Sequence, residues 1–152
     1  MVFSQLDQDV LQRLQAQYHV VAINPKQGDV NEQIREQVKD ADAMIGAGRL
    51  LNESNLATAQ QLKIISSVSV GYDNYDLAYL NQKKIWLTNT PHVLTETTAD
   101  LAFTLLMSAA RKVPYLDQWT KQGHWQRTVG EAQFGHDIFG KTLGIIGLGN
   151  IG

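Results

Sequence analysis

The run Gly147-Leu148-Gly149-Asn150-Ile151-Gly152 has the G-x-G-x-x-G spacing of a loop that cradles the pyrophosphate of a dinucleotide. Each glycine has a separate reason to be there. The first makes the tight turn, the second lets a phosphate approach the backbone, and the third allows a helix to pack closely on a strand. The apolar run Thr142-Leu143-Gly144-Ile145-Ile146 immediately upstream reads as the strand that feeds the loop. On this reading the cofactor-binding residues are Gly147, Gly149, Asn150, Ile151 and Gly152; the same spacing also fits a glycine-rich turn at a strand end. The phosphates would sit at the N-terminus of a helix following Gly152, so only the opening of such a site is expected within these residues.

A second place with chemical potential is Ser66-Ser67-Val68-Ser69-Val70-Gly71-Tyr72-Asp73-Asn74-Tyr75-Asp76. It follows an apolar strand-like run and precedes a helix-like one, so its amides fall at the carboxyl end of a strand, where open α/β sheets bind small anions. Gly71 permits close backbone approach to a ligand. Val70 and Gly71 are therefore candidate carboxylate-binding residues, while an ordinary turn with Asp73 or Asn74 as helix cap fits the same letters. Arg49, in Gly46-Ala47-Gly48-Arg49, follows another strand on the same expected rim. It is placed either to add positive charge to that pocket or to be a solvated surface arginine.

Other chemistries find little support. His19, His92, His124 and His136 are scattered along the chain and read as ordinary core or surface histidines rather than general acids. Asp73, Asp76, Glu96 and Asp100 read as caps and loop anchors. Ser66, Ser67 and Ser69 have no plausible His and Asp partners for a hydrolase triad, and no histidine and carboxylate spacing suggests a metal. The absence of cysteine removes disulfides and thiolate chemistry and fits a reducing compartment, with cytoplasm as the expectation. Thirteen basic and fifteen acidic residues, a net charge of −2, favour neither nucleic acid nor an anionic membrane as partner. The longest apolar stretch, Leu101 to Ala110, is too short to span a bilayer, and residues 1–5 lack the pattern of a signal peptide.

The elements that must position these residues alternate between strand-like and helix-like, the pattern of an α/β fold with a parallel sheet covered by helices on both faces. Strands are expected at Met1-Val2-Phe3, which is short enough to suggest a clipped start, and at Tyr18 to Ile23, Ala43-Met44-Ile45, Leu62 to Ile65 and Ile85-Trp86-Leu87. Between them, Ser4 and Asp7 have capping-box spacing ahead of a first helix, and Val30, Ile34 and Val38 share a second helix face. Asn52 to Gln61 and Asp76 to Gln82 also read as helical. From Thr95 to about Gln122 the helix loses its polar face, through Leu101, Ala102, Phe103, Leu105, Leu106, Met107, Ala109 and Ala110, and must be buried on several sides. Thr97 and Asp100 have capping-box spacing at its start, and Pro114 is expected to kink or restart it. Residues 123–141 form a connector of little periodicity.

Taken together, Ser69-Val70-Gly71-Tyr72-Asp73, then Thr88-Asn89-Thr90-Pro91 with Val93 through Asp100, then Gly140-Lys141-Thr142-Leu143-Gly144-Ile145-Ile146-Gly147-Leu148-Gly149 resemble the D-2-hydroxyacid dehydrogenase family. Within it, the stretch from Val70 to Arg111 most resembles the bacterial glyoxylate/hydroxypyruvate reductases, also described as 2-ketogluconate reductases. The resemblance implies a flavodoxin-like doubly wound parallel sheet, residues 1–97, as substrate domain. Residues 98–152 would be a long interdomain or dimer helix, a connector and the truncated start of a Rossmann domain. It implies NAD(P)H-dependent reduction of small 2-keto acids to D-2-hydroxy acids at a cleft between the domains, with the carboxylate held by the amides at Val70 and Gly71. It also implies a homodimer, in which Trp119, Trp125 and Phe134 meet the second subunit. Gly130 stands where relatives commonly have proline in this arm. NADPH is favoured by the subgroup, but the residue that reads the adenosine ribose falls about 20 residues beyond the glycines, leaving NAD or NADP open. The family's catalytic arginine, glutamate and histidine come from the second half of the Rossmann domain. No catalytic residue is thus expected in this chain, which alone is expected to be inactive, a fragment able to bind carboxylate or associate with an intact subunit. Residues 142–152 are expected to be poorly ordered by themselves, because a buried-type strand without parallel neighbours leaves apolar surface and unpaired amides in water.

Overall fold

The computed structural model describes residues 1–152, which separate into two compact units, Met1–Pro91 and His92–Gly152. The first is built on a parallel sheet of β1 (Ala43–Gly46), β2 (Ile64–Ser67) and β3 (Trp86–Thr88), with β2 in the middle. The chain start joins it through parallel bridges of Val2 with Ile45 and with Ala22. The bonds Phe3 N–H to Ile45 O, Ile45 N–H to Met1 O, Val2 N–H to Val21 O and Ile23 N–H to Val2 O complete these rungs. In space the order is Ala22, Val2, β1, β2, β3, which in chain order is the 2-1-3-4-5 arrangement of flavodoxin-like sheets. The expected strand at Tyr18 to Ile23 is reduced to a single bridge at Ala22.

Parallel strands need crossovers, and every crossover here carries a helix. These are α1 (Gln8–Gln15), α2 (Val30–Gln37), α3 (Glu53–Leu56) and α4 (Leu77–Lys83). The pleat sends alternate residues to opposite faces. Met44 and Ile65 therefore enter a core with Phe3, Ile34, Val38, Leu56 and Leu80. The other row is more open: Ile45, Ile64 and Ser66 are half-buried and Trp86 is exposed. Val30 and Ile34 of α2, with Val38 in the 3₁₀ turn that follows, are buried, as their shared helical face requires. Asp76 caps α4 by accepting from Tyr79 N–H at 3.0 Å. Helix α3 is far shorter than the expected 52–61; Asn52 and Asn55 close its first turn, and Gln61 leaves it to bond Asp40 O. Ser4 does not act as a cap. Its hydroxyl accepts Ala47 N–H at 2.9 Å, a non-local partner that competes with the capping geometry.

The second unit contains α5 (Thr95–Ala110) and α6 (Val113–Lys121). Pro114 sits in the first turn of α6, where its missing N–H costs nothing. Helix α5 starts at Thr95 rather than after a Thr97 cap, and no side chain caps it. Burial on several sides, expected from its composition, is not observed: Leu101, Phe103 and Leu105 are all more than half exposed. Within its own unit α5 has α6 beside it and the connector at its end, where His136 N–H bonds Ala110 O at 2.7 Å. Thr142 to Ile146 forms no strand, and Ile146 is fully exposed. The unit contains no other strand, and a lone extended segment has no ladder to join.

Candidate functional site

The loop after β2 is suspended from the ends of two neighbouring strands. Just past β3, Thr90 N–H donates to Ser69 O at 3.0 Å and the Asn89 side-chain amide donates to Val70 O at 2.8 Å. Just past β2, the Ser69 hydroxyl donates to Gly71 O at 2.7 Å and lies 2.7 Å from the Ser67 hydroxyl. Three consecutive carbonyls are thereby fixed.

In a trans peptide the N–H points opposite to the C=O of the same plane. Anchoring Ser69 O and Val70 O on the 89–90 segment therefore turns the Val70 and Gly71 N–H groups away from it together. Neither amide donates a hydrogen bond within the protein, and both residues are exposed. Adjacent backbone N–H groups without partners are the kind of donors from which anion-binding concavities are built. The expected role of Asp73 or Asn74 as helix cap is taken by Asp76, and the Asn74 side chain instead donates to Arg49 O.

That bond draws Arg49 to the loop. Leu51 N–H donates to Asn74 O at 2.9 Å and Asp76 N–H to Leu51 O at 3.0 Å, so residues 49–51 are zipped along 74–76. Arg49 is half-buried and forms no salt bridge. Val70, Gly71 and Arg49 thus belong to one loop system. Ser67, Ser69, Asn89 and Thr90 build it, and bonds from side chain to backbone such as theirs leave no periodic trace in a sequence. The signals in the sequence are the density of hydroxyls around Gly71 and the place of Ser69, Asn89 and Thr90 in segments that carry the family resemblance.

In the second unit the three fingerprint glycines divide their roles. Gly147 has a left-handed φ of 88°, which makes the turn. A Cβ on Gly152 would come within 2.8 Å of Gly147 O and of Leu148 Cα, so the third glycine closes the turn on itself. A Cβ on Gly149 would meet nothing within 4 Å. Asn150 Nδ2 lies 3.3 Å from His92 Nδ1, and Ile151 is about half exposed. His92 takes a left-handed φ of 66°, a conformation uncommon for a residue with a Cβ.

Residues 1–143 match the family described as D-isomer specific 2-hydroxyacid dehydrogenase, catalytic domain. The chain belongs to this family. Among curated relatives, the glyoxylate/hydroxypyruvate reductases B of Yersinia enterocolitica and Citrobacter koseri are each 37% identical over 151 residues. The match covers 99% of this chain and 46% and 47% of those proteins. The chain thus spans about half the length of the curated relatives it matches. Among solved structures, a Thermus thermophilus protein is 32% identical with a TM-score of 0.83, covering 99% of this chain and 49% of that one. The NADPH-dependent glyoxylate/hydroxypyruvate reductase of Sinorhizobium meliloti, solved with NADP and malonate, is 32% identical with a TM-score of 0.75, covering 99% and 46%. In this dehydrogenase-family chain the loop of Val70 and Gly71 and the glycine turn lie one in each compact unit.

Proposed function

We propose that these residues form the carboxylate cradle and the opening of the coenzyme site of an NAD(P)H-dependent reductase of small 2-keto acids, such as glyoxylate, hydroxypyruvate and 2-ketogluconate. The carrying observation is the pair of unpartnered amides at Val70 and Gly71, aimed together by their anchored carbonyls. Hydrogen bonds from backbone N–H to a carboxylate are charge-assisted and strong, and holding the carboxylate orients the adjacent keto carbon. Arg49, free of ion pairs and tied to the same loop, adds positive charge. That relatives are named glyoxylate/hydroxypyruvate reductases supports the substrate class.

Gly147, Gly149, Asn150, Ile151 and Gly152 would hold the coenzyme pyrophosphate, since the open space at Gly149 and the self-closed turn at Gly152 fit a phosphate against the backbone. A reduced nicotinamide coenzyme, when bound, would supply the hydride to the keto carbon, and the hydroxy acid forms once the oxygen also takes a proton. The NADPH-dependent relative favours NADPH over NADH. His92 contacts Asn150 and His124 stacks on Trp119, and neither is assigned a catalytic role. With the proton donor assigned by the family resemblance to residues other than 1–152, this stretch by itself would bind without turnover. The exposed apolar side chains of α5 support a homodimer contact, and the absence of cysteine suits the cytoplasm.

The test is a titration of the ¹⁵N-labelled chain with oxamate, a 2-keto acid isostere, beside an absorbance assay with NADPH and glyoxylate. Chemical-shift changes centred on Val70 and Gly71, without coenzyme oxidation, are expected. Shifts confined to other regions would remove the cradle, and oxidation above a protein-free blank would remove the claim of inactivity.

A further inference from the structure

Anchored carbonyls at Ser69 and Val70 aim the Val70 and Gly71 amides, and a chain of hydroxyls behind the loop fixes the next carbonyl, Gly71 O. The Ser69 hydroxyl has one proton, and at 2.7 Å it is committed to Gly71 O. In the 2.7 Å contact between Ser67 and Ser69, Ser67 must therefore be the donor. The chain of bonds runs one way, from Ser67 Oγ to Ser69 Oγ to Gly71 O. Its origin is rigid: Ser67 is the last residue of β2, buried to 3% exposure and paired in register with Gly46 of β1. Its far end is the carbonyl of the peptide plane that carries Tyr72 N–H, so fixing Gly71 O points that third amide away from the sheet end. Tyr72 N–H likewise has no partner in the protein.

We propose that Ser69, oriented by Ser67, is a positioning residue that sets the Gly71–Tyr72 peptide plane. It thereby adds Tyr72 N–H to the two amides that Asn89 and Thr90 already aim. The inference rests on the cradle reading above and deepens it. Ser69 touches no substrate; its hydroxyl turns a carbonyl that would repel a carboxylate inward and replaces it with a donor facing outward. Asn89 performs the same service one peptide earlier, from the end of β3. The cradle is thus strung between two adjacent strand ends, and its donors are selected by which carbonyls are captured.

The test uses the 152-residue chain with Ser69→Ala, which removes the donor to Gly71 O, and Ser69→Thr, which keeps a hydroxyl. Two quantities are read: oxamate affinity from amide shifts, and residual dipolar couplings of the Val70, Gly71 and Tyr72 N–H vectors without ligand. Ser69→Ala should weaken oxamate binding about tenfold, the scale of one lost hydrogen bond. It should also change the Tyr72 coupling while couplings in β1, β2 and β3 stay as they were, and Ser69→Thr should restore both. If wild type binds oxamate at Val70 and Gly71 but Ser69→Ala leaves affinity and the Tyr72 coupling unchanged, the positioning role is overturned and the cradle stands. If wild type shows no oxamate shifts at these residues, the cradle reading fails and the role in binding fails with it. The couplings then show only whether Ser69 orients the peptide. Equal losses in the Ala and Thr variants, with couplings altered throughout the sheet, would reveal a folding defect and also overturn the proposal.

Discussion

At the scale of single residues, this chain has its polar groups fixed where the loop needs them and spare where it does not. Tyr75 is 4% exposed, yet its hydroxyl has no hydrogen-bond partner, while its backbone N–H is used by Tyr72 O. A buried hydroxyl without a partner carries a desolvation cost that an apolar ring of the same shape does not. Tyr75→Phe should therefore leave stability unchanged or raise it by up to about 1 kcal/mol, read as the urea midpoint at constant slope. A loss of more than about 1 kcal/mol would show that the hydroxyl does have a partner. Ser69 and Asn89 are the opposite case, since each satisfies a carbonyl of the cradle loop. Val70 and Gly71 stood out as candidates because they follow a strand and precede a helix, although an ordinary turn fits the same letters. Asn89 did not, because its partner is 19 residues away and nothing in its immediate neighbours marks the bond.

At the scale of elements, β1 ends in a contact that permits only glycine. A Cβ at Gly46 would lie 2.8 Å from the ring of Phe3, itself 2% exposed and held by the bond from its N–H to Ile45 O. The ring cannot swing away without leaving the core. Gly46→Ala should cost about 1–3 kcal/mol, as overpacking does, and the loss should appear in the thermal midpoint of the first unit. A variant as stable as wild type would mean that Phe3 has room to move. The strands at 43–46 and 64–67 were readable because Met44 and Ile65 in their apolar runs are buried, the strand at 86–88 because Ile85 just before it is buried and Leu87 packs on the core, and the α2 face because Val30, Ile34 and Val38 recur at helical spacing. The run at 142–146 has an equally good strand composition, but a parallel strand is defined by its neighbours and its own unit offers none. The Ser4 and Thr97 caps failed for a related reason: a capping-box spacing is a local signal, and in Ser4 a backbone N–H 43 residues away uses the hydroxyl first.

At the scale of the molecule, the two units use their apolar residues differently. The first buries Ile34, Val38, Leu51, Leu56 and Ile65 completely. The second has no buried residue in either α5 or α6, and Leu101 and Leu105, one turn apart on the same face of α5, are 57% and 60% exposed. Burying a leucine side chain fully is worth roughly 1.5–3 kcal/mol, so a partner covering this face would offset part of the cost of lost translational freedom. If α5 is the homodimer contact, sedimentation velocity of the 152-residue chain should show concentration-dependent association. Leu101→Glu with Leu105→Glu should abolish it, since two desolvated carboxylates would then face their symmetry mates. Circular dichroism should report unchanged helix content in the double variant, because both positions already face solvent and glutamate has a helix propensity close to that of leucine. A wild-type chain that stays monomeric at high concentration, or a double variant that associates as before, would assign the open face of α5 to some contact other than a second copy.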